Sequence, residues 1–183
     1  MDTDTVYIKF FTGVTENSVK ALMNVIDQKL GEGVRKFTIL VSSGGGNVYS
    51  GISAYNYLKG IPAEVNTHNF GTASSVALVL FCAGKKRYSV PHGVFLMHGV
   101  QTNFPKETSL EEKQLEERLL GLKLDVENIA GIIATESGKN EDEVMGDISE
   151  RKTLNPEDAV KYGLVHEIKE ELFEEGAELI SIH

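Results

Sequence analysis

Ser75 stands where a serine hydroxyl could be activated as a nucleophile. It ends the glycine-containing segment GTASS at residues 71–75, which we predict to turn, and comes before an apolar run that reaches residue 83, long enough for a buried helix. Backbone N–H groups and the dipole at the start of a helix favour developing negative charge. Small residues before a buried helix also serve close packing alone, and the Gly-x-Ser-x-Gly pattern of α/β-hydrolases is absent around this serine. Ser75 is therefore either a candidate nucleophile or a packing residue.

A glycine-rich segment, SSGGGNVYSG at residues 42–51, follows a second apolar run at residues 37–41. A loop of this kind after a buried strand can bind phosphate. However, Tyr49 stands where a dinucleotide-binding motif needs a glycine, and no Lys-Ser/Thr pair completes a P-loop. The loop can also present a backbone N–H to an oxyanion, because glycines let a substrate backbone approach closely. The spacing argues against nucleotide binding, and composition alone leaves the oxyanion role open.

His98 closes a short apolar segment at residues 94–98, where its imidazole either points into a cleft or simply meets solvent. Without further context the solvent-facing interpretation is the simpler one. The other histidines lack the spacing of zinc ligands such as His-Glu-x-x-His, so we predict no metal site and no cofactor. They are His68, His92, His166 and His183.

Composition and charge exclude several classes of function. The 183 residues carry a net charge of −9, which argues against nucleic acid or an anionic membrane as the main partner. The single Cys82 lies in an apolar run, where a buried thiol behaves as a small hydrophobe. The N-terminus lacks the layout of a signal peptide, and no apolar run reaches transmembrane length, so we expect a cytoplasmic protein.

Strand and helix patterns alternate along the chain, which predicts one α/β domain over residues 1–183. Strands are predicted at residues 6–11, 37–41, 63–66, 87–90, 94–98 and 164–166, and the main helices at 15–30, 48–59 and about 75–83. A charged helix with one apolar stripe is predicted at about residues 109–136, of the kind that packs on another subunit. Shorter helices are expected to start near residues 140 and 155. Residues 169–183 form an acidic tail, predicted to be solvated as far as residue 178.

Five motifs, taken in order, resemble the Clp peptidase family over roughly residues 5–168. The loop SSGGGNVYSG at 42–51 resembles the family's Asn-Ser-Pro-Gly-Gly loop, and GTASS at 71–75 resembles its nucleophile motif. AGKKRYSVP at 83–91 and FLMH at 95–98 look like its next two strands, and DAVKYGLV at 158–165 looks like its C-terminal helix and strand. The order of the five motifs is more specific than any single one.

The resemblance implies a crotonase-like fold, a repeated β-β-α superhelical core with a projecting handle helix. It also implies a serine peptidase that cleaves short or unfolded polypeptides inside homo-oligomeric rings. Ser75 would be the nucleophile and His98 the general base, while the N–H groups of Gly46 and Val76 would hold the oxyanion.

The chain departs from the family where the third member of the triad, an aspartate, is expected. Counting back from the YGL motif, that position falls on Arg151, and a cation cannot stabilise an imidazolium. Glu150 or Asp147 could take the role, with Glu150 favoured of the two, or the site works as a Ser–His dyad. The departure also supports an alternative function, a weakly active or inactive subunit with a structural or regulatory role.

Two further expectations concern partners and chemistry. The resemblance implies an AAA+ ATPase partner, but the first strand begins by Val6 and little precedes it, which argues against ATPase coupling. A crotonase-type acyl-CoA enzyme is a third interpretation that shares the backbone oxyanion arrangement, although such enzymes do not need a serine and histidine pair.

Overall fold

Strands and helices alternate in the computed structural model, which describes residues 5–101 and 109–182. The strands of this part of the chain are β1 (Thr5–Phe10), β2 (Lys36–Ser43), β3 (Glu64–Ser74), β4 (Arg87–Ser89), β5 (Val94–Leu96), β6 (Thr153–Leu154), β7 (Glu167–Ile168) and β8 (Glu178–Ile182). The helices are α1 (Glu16–Gly31), α2 (Val48–Gly60), α3 (Val76–Cys82), α4 (Glu112–Ser137), α5 (Glu141–Ser149) and α6 (Pro156–Tyr162). In this part of the chain, no helix is both long and apolar enough to cross a membrane.

One sheet joins all eight strands, in the order β6-β5-β3-β2-β1-β8, with β4 and β7 continuing from β3 as a branch. Every pairing is parallel except that of β5 with β6. The long strand β3 pairs with β4 through residues 67–69 and with β5 through residues 72–74. The ends of β3 and β5 are therefore neighbours, and they carry the segments with Ser75 and His98.

Local sequence explains where the helices begin. Thr15 caps α1 in a capping box, in which the Ser18 N–H donates to Thr15 Oγ1 and the Thr15 N–H donates to Ser18 Oγ. Asn47 caps α2 through its side-chain oxygen. Helix α3 is buried at every position, as expected for a segment with no polar residue from 76 to 82. These caps fix the chain directly after β1 and β2, next to the site.

Helix α4 has two differently packed halves. Its C-terminal half is held by the buried Arg87, whose guanidinium donates to the Glu136 carbonyl oxygen at 2.7 Å and to the Leu164 carbonyl oxygen at 2.7 Å. In the N-terminal half four leucines are about half exposed. They are Leu115, Leu119, Leu120 and Leu124. The apolar stripe seen in the sequence is thus buried at one end of the helix and open at the other.

Three elements differ from the sequence expectations. The segment 71–75 was expected to turn, but β3 continues through it to Ser74, because residues 72–74 find a pairing partner in β5. No strand is predicted after the short one at 164–166, yet β8 follows the acidic stretch, begins at Glu178 and pairs with β1 in parallel. Its apolar residues Ile180 and Ile182 supply the alternation that pairing needs. The last strand predicted at 164–166 is observed at Glu167–Ile168.

Candidate active site

The nucleophile candidate Ser75 lies at the junction of β3 and α3, in a backbone conformation that few residues other than glycine adopt. Its φ is 58° and its ψ is −134°. Its N–H donates to the Leu96 carbonyl oxygen of the neighbouring strand at 2.8 Å, and its own carbonyl accepts from the Leu78 N–H of α3. A serine held with positive φ between a strand and a helix is strained, and such strain often accompanies function. Its side chain is half-buried, so it is within reach of a substrate.

The glycine loop after β2 is packed against this serine. A Cβ added at Gly45 would lie 2.7 Å from Ser75 Cβ and 3.2 Å from Ser75 Oγ. At Gly46 an added Cβ would lie well inside contact distance of the Val14 carbonyl oxygen, and φ there is 152°. The two glycines are therefore required by close approach and not by chain flexibility alone.

Hydrogen bonds around Val14 hold the loop in place and set the orientation of the Gly46 N–H. The Val14 N–H donates to the Gly45 carbonyl oxygen at 2.8 Å, and the Asn47 N–H donates to the Val14 carbonyl oxygen at 2.8 Å. The two hydrogen bonds of this parallel bridge are donated by the N–H groups of Val14 and Asn47. The Gly46 N–H takes part in neither of them. The Val76 N–H lies in the first turn of α3, where helix N–H groups have no intrahelical partner. Both expected oxyanion donors thus lie on segments that border Ser75.

The adjacent Ser74 has a different environment from Ser75. Its side chain is buried, and its hydroxyl lies 2.7 Å from the Thr72 hydroxyl, so the two share a hydrogen bond. A hydroxyl committed to a neighbour inside the sheet is a poor nucleophile. The contrast with Ser75 makes Ser74 a matched control.

The base candidate His98 follows β5, one residue after the buried Met97. Its Nδ1 lies 2.8 Å from the Gly99 carbonyl oxygen. A carbonyl oxygen can only accept, so Nδ1 carries the hydrogen and the lone pair of the neutral ring lies on Nε2. That is the tautomer a general base needs if Nε2 is to take the proton of a serine hydroxyl.

The position at which the family resemblance puts the third triad member, residue 151, follows from the antiparallel pairing of β5 with β6. Leu96 pairs with Thr153, and the Met97 N–H donates to the Lys152 carbonyl oxygen at 2.9 Å. Continuing that register by one step sets His98 opposite Arg151. The Arg151 side chain is exposed, and its φ of 58° matches that of Ser75.

The two carboxylates proposed to replace the aspartate are used differently. Glu150 is the C-cap of α5 and has an exposed side chain. Asp147 is buried, where it accepts from the Lys152 ammonium at 2.7 Å and from the Tyr162 hydroxyl at 2.7 Å. These bonds give Asp147 a structural role that ties α5 to α6. Neither carboxylate has a hydrogen bond to His98 among the bonds of the described residues.

Reasoning from the sequence missed three features of this region. The Gly99 carbonyl belongs to the main chain, so no residue type signals its role beside His98. The contact of Gly45 with Ser75 depends on tertiary approach. By contrast, Asp125 had a visible signal, because it interrupts the apolar stripe of α4 between Leu122 and Ile129; it lies at the wall of a cavity beside the glycine loop.

The chain resembles known proteins over most of its length. The family model of Clp protease matches residues 9–171. The "ATP-dependent Clp protease proteolytic subunit 2" of Thermobifida fusca is 28% identical over 136 residues, which cover 73% of this chain and 65% of that protein. The "ATP-dependent Clp protease proteolytic subunit" of Deinococcus radiodurans is 27% identical over 154 residues, or 83% of this chain and 72% of that protein. The chain thus spans slightly under two thirds of the length of the first relative.

Among solved structures, a mutant of ClpP1 from Listeria monocytogenes has a TM-score of 0.81 at 22% identity, and the match covers 93% of this chain and 94% of that one. This likeness confirms the α/β, crotonase-like fold that the motifs implied. The family model covers most of the chain and includes the segments that carry Ser75, His98 and the glycine loop. The chain belongs to the Clp protease family.

Proposed function

We propose that this protein is a serine-type peptidase that hydrolyses peptide bonds in short or unfolded polypeptides. The observation that carries the proposal is the strained Ser75 at the end of β3, beside the end of β5 that presents His98. Family membership supports the same reaction. An acyl-CoA reaction would use the backbone oxyanion donors without needing this serine and histidine.

In the proposed mechanism Ser75 Oγ attacks the carbonyl carbon of the scissile peptide bond while His98 Nε2 takes its proton. The negative charge moves to the former carbonyl oxygen, where the N–H groups of Gly46 and Val76 hold it. Collapse of this intermediate breaks the C–N bond, and the imidazolium gives its proton to the leaving amine. A water molecule then cleaves the acyl-enzyme by the same steps, with His98 again as the base.

We propose that His98 works without a carboxylate partner, as one half of a dyad. The Gly99 carbonyl oxygen already accepts the Nδ1 hydrogen and so fixes the tautomer. A neutral carbonyl stabilises an imidazolium less than a carboxylate does, and Arg151 opposite the ring adds no favourable charge. Turnover should therefore be slower than with a complete triad. Glu150 remains the alternative third member.

The second candidate function is a subunit that has lost activity and serves a structural or regulatory role. Arg151, opposite His98 in register, is the observation that favours it.

In either case we expect homo-oligomeric rings, because the exposed leucines of α4 leave an apolar surface that a second copy would cover. Sedimentation of the purified protein would report the number of subunits.

The decisive experiment is covalent labelling by a fluorophosphonate, read as intact mass, because the reagent needs an activated serine but no matching substrate. The wild-type protein should gain one adduct. Ser75→Ala and His98→Ala should lose it, since loss of either member of a catalytic pair costs up to about 10⁶ in rate. Ser74→Ala should keep it. A folded wild-type oligomer that gains no adduct would favour the inactive subunit.

A further inference from the structure

A cavity of about 610 Å³ opens beside the glycine loop, at Gly46. Gly46 and Tyr49 of the glycine loop and α2 line one side, and Val100 lines it two residues after His98. The opposite wall is helix α4, through residues that include Leu122 and Asp125. The volume is that of a small-molecule or side-chain site. Because Gly46 is a proposed oxyanion donor, a substrate residue whose carbonyl is held there would have this cavity next to its side chain.

Asp125 is the unusual residue of the α4 wall. Its side chain is buried, with only 9% of the residue exposed, and no ion pair involves it among residues 5–101 and 109–182. Burial raises the pKa of Asp125 above its ordinary value, and a hydrogen bond from the Tyr49 side chain lowers it in part. A buried carboxylate without a cation costs free energy. Within the described ranges, the Asp125 carboxylate thus has a hydrogen bond from Tyr49 but no ion pair.

The other lining residues suit a long side chain that ends in a cation. Leu122 and Val100 offer apolar surface to a methylene stem. The Tyr49 ring can interact with a cation through its face. Glu117 and Arg118 also line the cavity but are exposed and opposite in charge, so Asp125 sets the charge of the buried part.

We propose that this cavity is a specificity pocket for a lysine or arginine side chain, with Asp125 pairing the cation of the substrate residue whose carbonyl group is attacked. The inference rests on the peptidase function proposed above. Asp125 acts in binding and takes no part in bond breaking.

The test compares fluorogenic peptides that differ only in the residue before the cleaved bond, which is lysine, norleucine or glutamate. Norleucine keeps the methylene stem and lacks the charge. The ratio of kcat/KM for lysine to that for norleucine should be about tenfold or more, as for a charge-assisted hydrogen bond in a buried site. Asp125→Asn should bring this ratio close to one. Glu127→Gln, which removes an exposed carboxylate two residues further along α4 and outside the cavity, should leave the ratio unchanged.

Binding of the same peptides to the Ser75→Ala protein, followed by fluorescence polarisation, separates this inference from the proposed function. If no peptide is cleaved but lysine is still bound about tenfold more tightly than norleucine, and only while Asp125 is present, the peptidase proposal fails and the pocket stands. If labelling shows a working Ser75 but norleucine is cleaved and bound as well as lysine, the pocket inference is overturned. A lysine preference that survives Asp125→Asn, or the absence of any binding, overturns it as well.

Discussion

Two residues other than glycine have positive φ among those the structure describes, and they lie on opposite sides of the end of β5. Ser75 and Arg151 share a φ of 58°. Ser75 is held by a hydrogen bond to Leu96, by close contact with the glycine loop, and by a helix that is buried along its whole length. Arg151 is exposed and is held by main-chain bonds of a turn after α5.

The difference shows on which side of the proposed site several independent contacts hold the backbone conformation. The conformation of Ser75 is enforced from several directions, as expected where strain is part of a mechanism. The Arg151 side chain is exposed, so we expect the turn to accept other residues that tolerate a positive φ. We therefore expect substitutions on the nucleophile side to abolish reactivity and those on the Arg151 side to tune it.

The largest effect is expected from Gly45→Ala. The new Cβ would lie 2.7 Å from Ser75 Cβ and 2.9 Å from the Ser74 carbonyl oxygen, and φ at this position is 98°. The rate of fluorophosphonate labelling should fall by about 10² to 10³, the cost of misplacing an oxyanion donor. Gly44→Ala is the matched control, since its added Cβ meets nothing within 4 Å. Equal labelling of the two variants would show that the loop does not position the nucleophile.

On the Arg151 side of β5, a substitution is expected to raise reactivity. Arg151→Asp places a carboxylate opposite His98 in a conformation that aspartate tolerates better than most residues. Labelling and peptide turnover should rise about tenfold or more, since the aspartate of a triad contributes on the order of 10⁴. Arg151→Asn suits the same backbone conformation but carries no negative charge. Its labelling rate should lie between those of the wild type and Arg151→Asp. An Asp variant no faster than the Asn variant would mean that position 151 does not reach the imidazole.

The same comparison explains what could be predicted from the sequence. The α/β fold and the family were predicted from the order of the glycine loop, the GTASS segment and the FLMH strand, and both are confirmed. Those motifs also single out Ser75 and His98, whose roles remain predictions. Motifs are informative here because the glycine loop packs so closely against Ser75 that few residue types fit.

Other features depend on partners that local sequence does not show. Residues 71–75 look like a turn by composition, but the Asn69 side chain donates to the Val94 carbonyl at 3.1 Å and accepts from the Gly71 N–H at 3.0 Å. These bonds, with β5 alongside, keep the segment extended against its propensity. Strand β8 likewise forms because β1 offers an edge, and Glu178 pairs with Lys29 of α1.

A small effect is expected from Glu150→Gln, and its size decides between a dyad and a substitute triad. With the Nδ1 hydrogen of His98 already donated to the Gly99 carbonyl, the labelling rate should change by less than about twofold. The variant is close in size and removes one exposed charge, so folding should be unaffected. A loss of more than about tenfold in a normally assembled protein would instead assign Glu150 as the third member.

The smallest effect is expected in thermal stability, where the carboxylates of Asp125 and Glu150 should behave differently. Because burial raises the pKa of Asp125, the folded protein binds more protons than the unfolded chain between the ordinary pKa of aspartate, about 3.9, and the raised value. The free energy of unfolding therefore falls as pH rises through this window, and the full cost is present above it. Asp125→Asn removes that cost, so at pH 7 its melting temperature should exceed that of the wild type by roughly 1–3 °C, the scale of a change below 1 kcal/mol in a domain of this size.

Below about pH 3.9 this difference should vanish, because Asp125 is then protonated in both states. Glu150→Gln, at an exposed carboxylate, should show no such gap at either pH. If Asp125→Asn instead melts below the wild type at pH 7, the carboxylate stabilises the fold and needs no substrate cation to account for it. If Asp125→Asn gains stability and also loses the preference for lysine, then Asp125 costs the fold stability while it serves substrate binding beside the glycine loop. Glu150, at the exposed turn, carries no such cost.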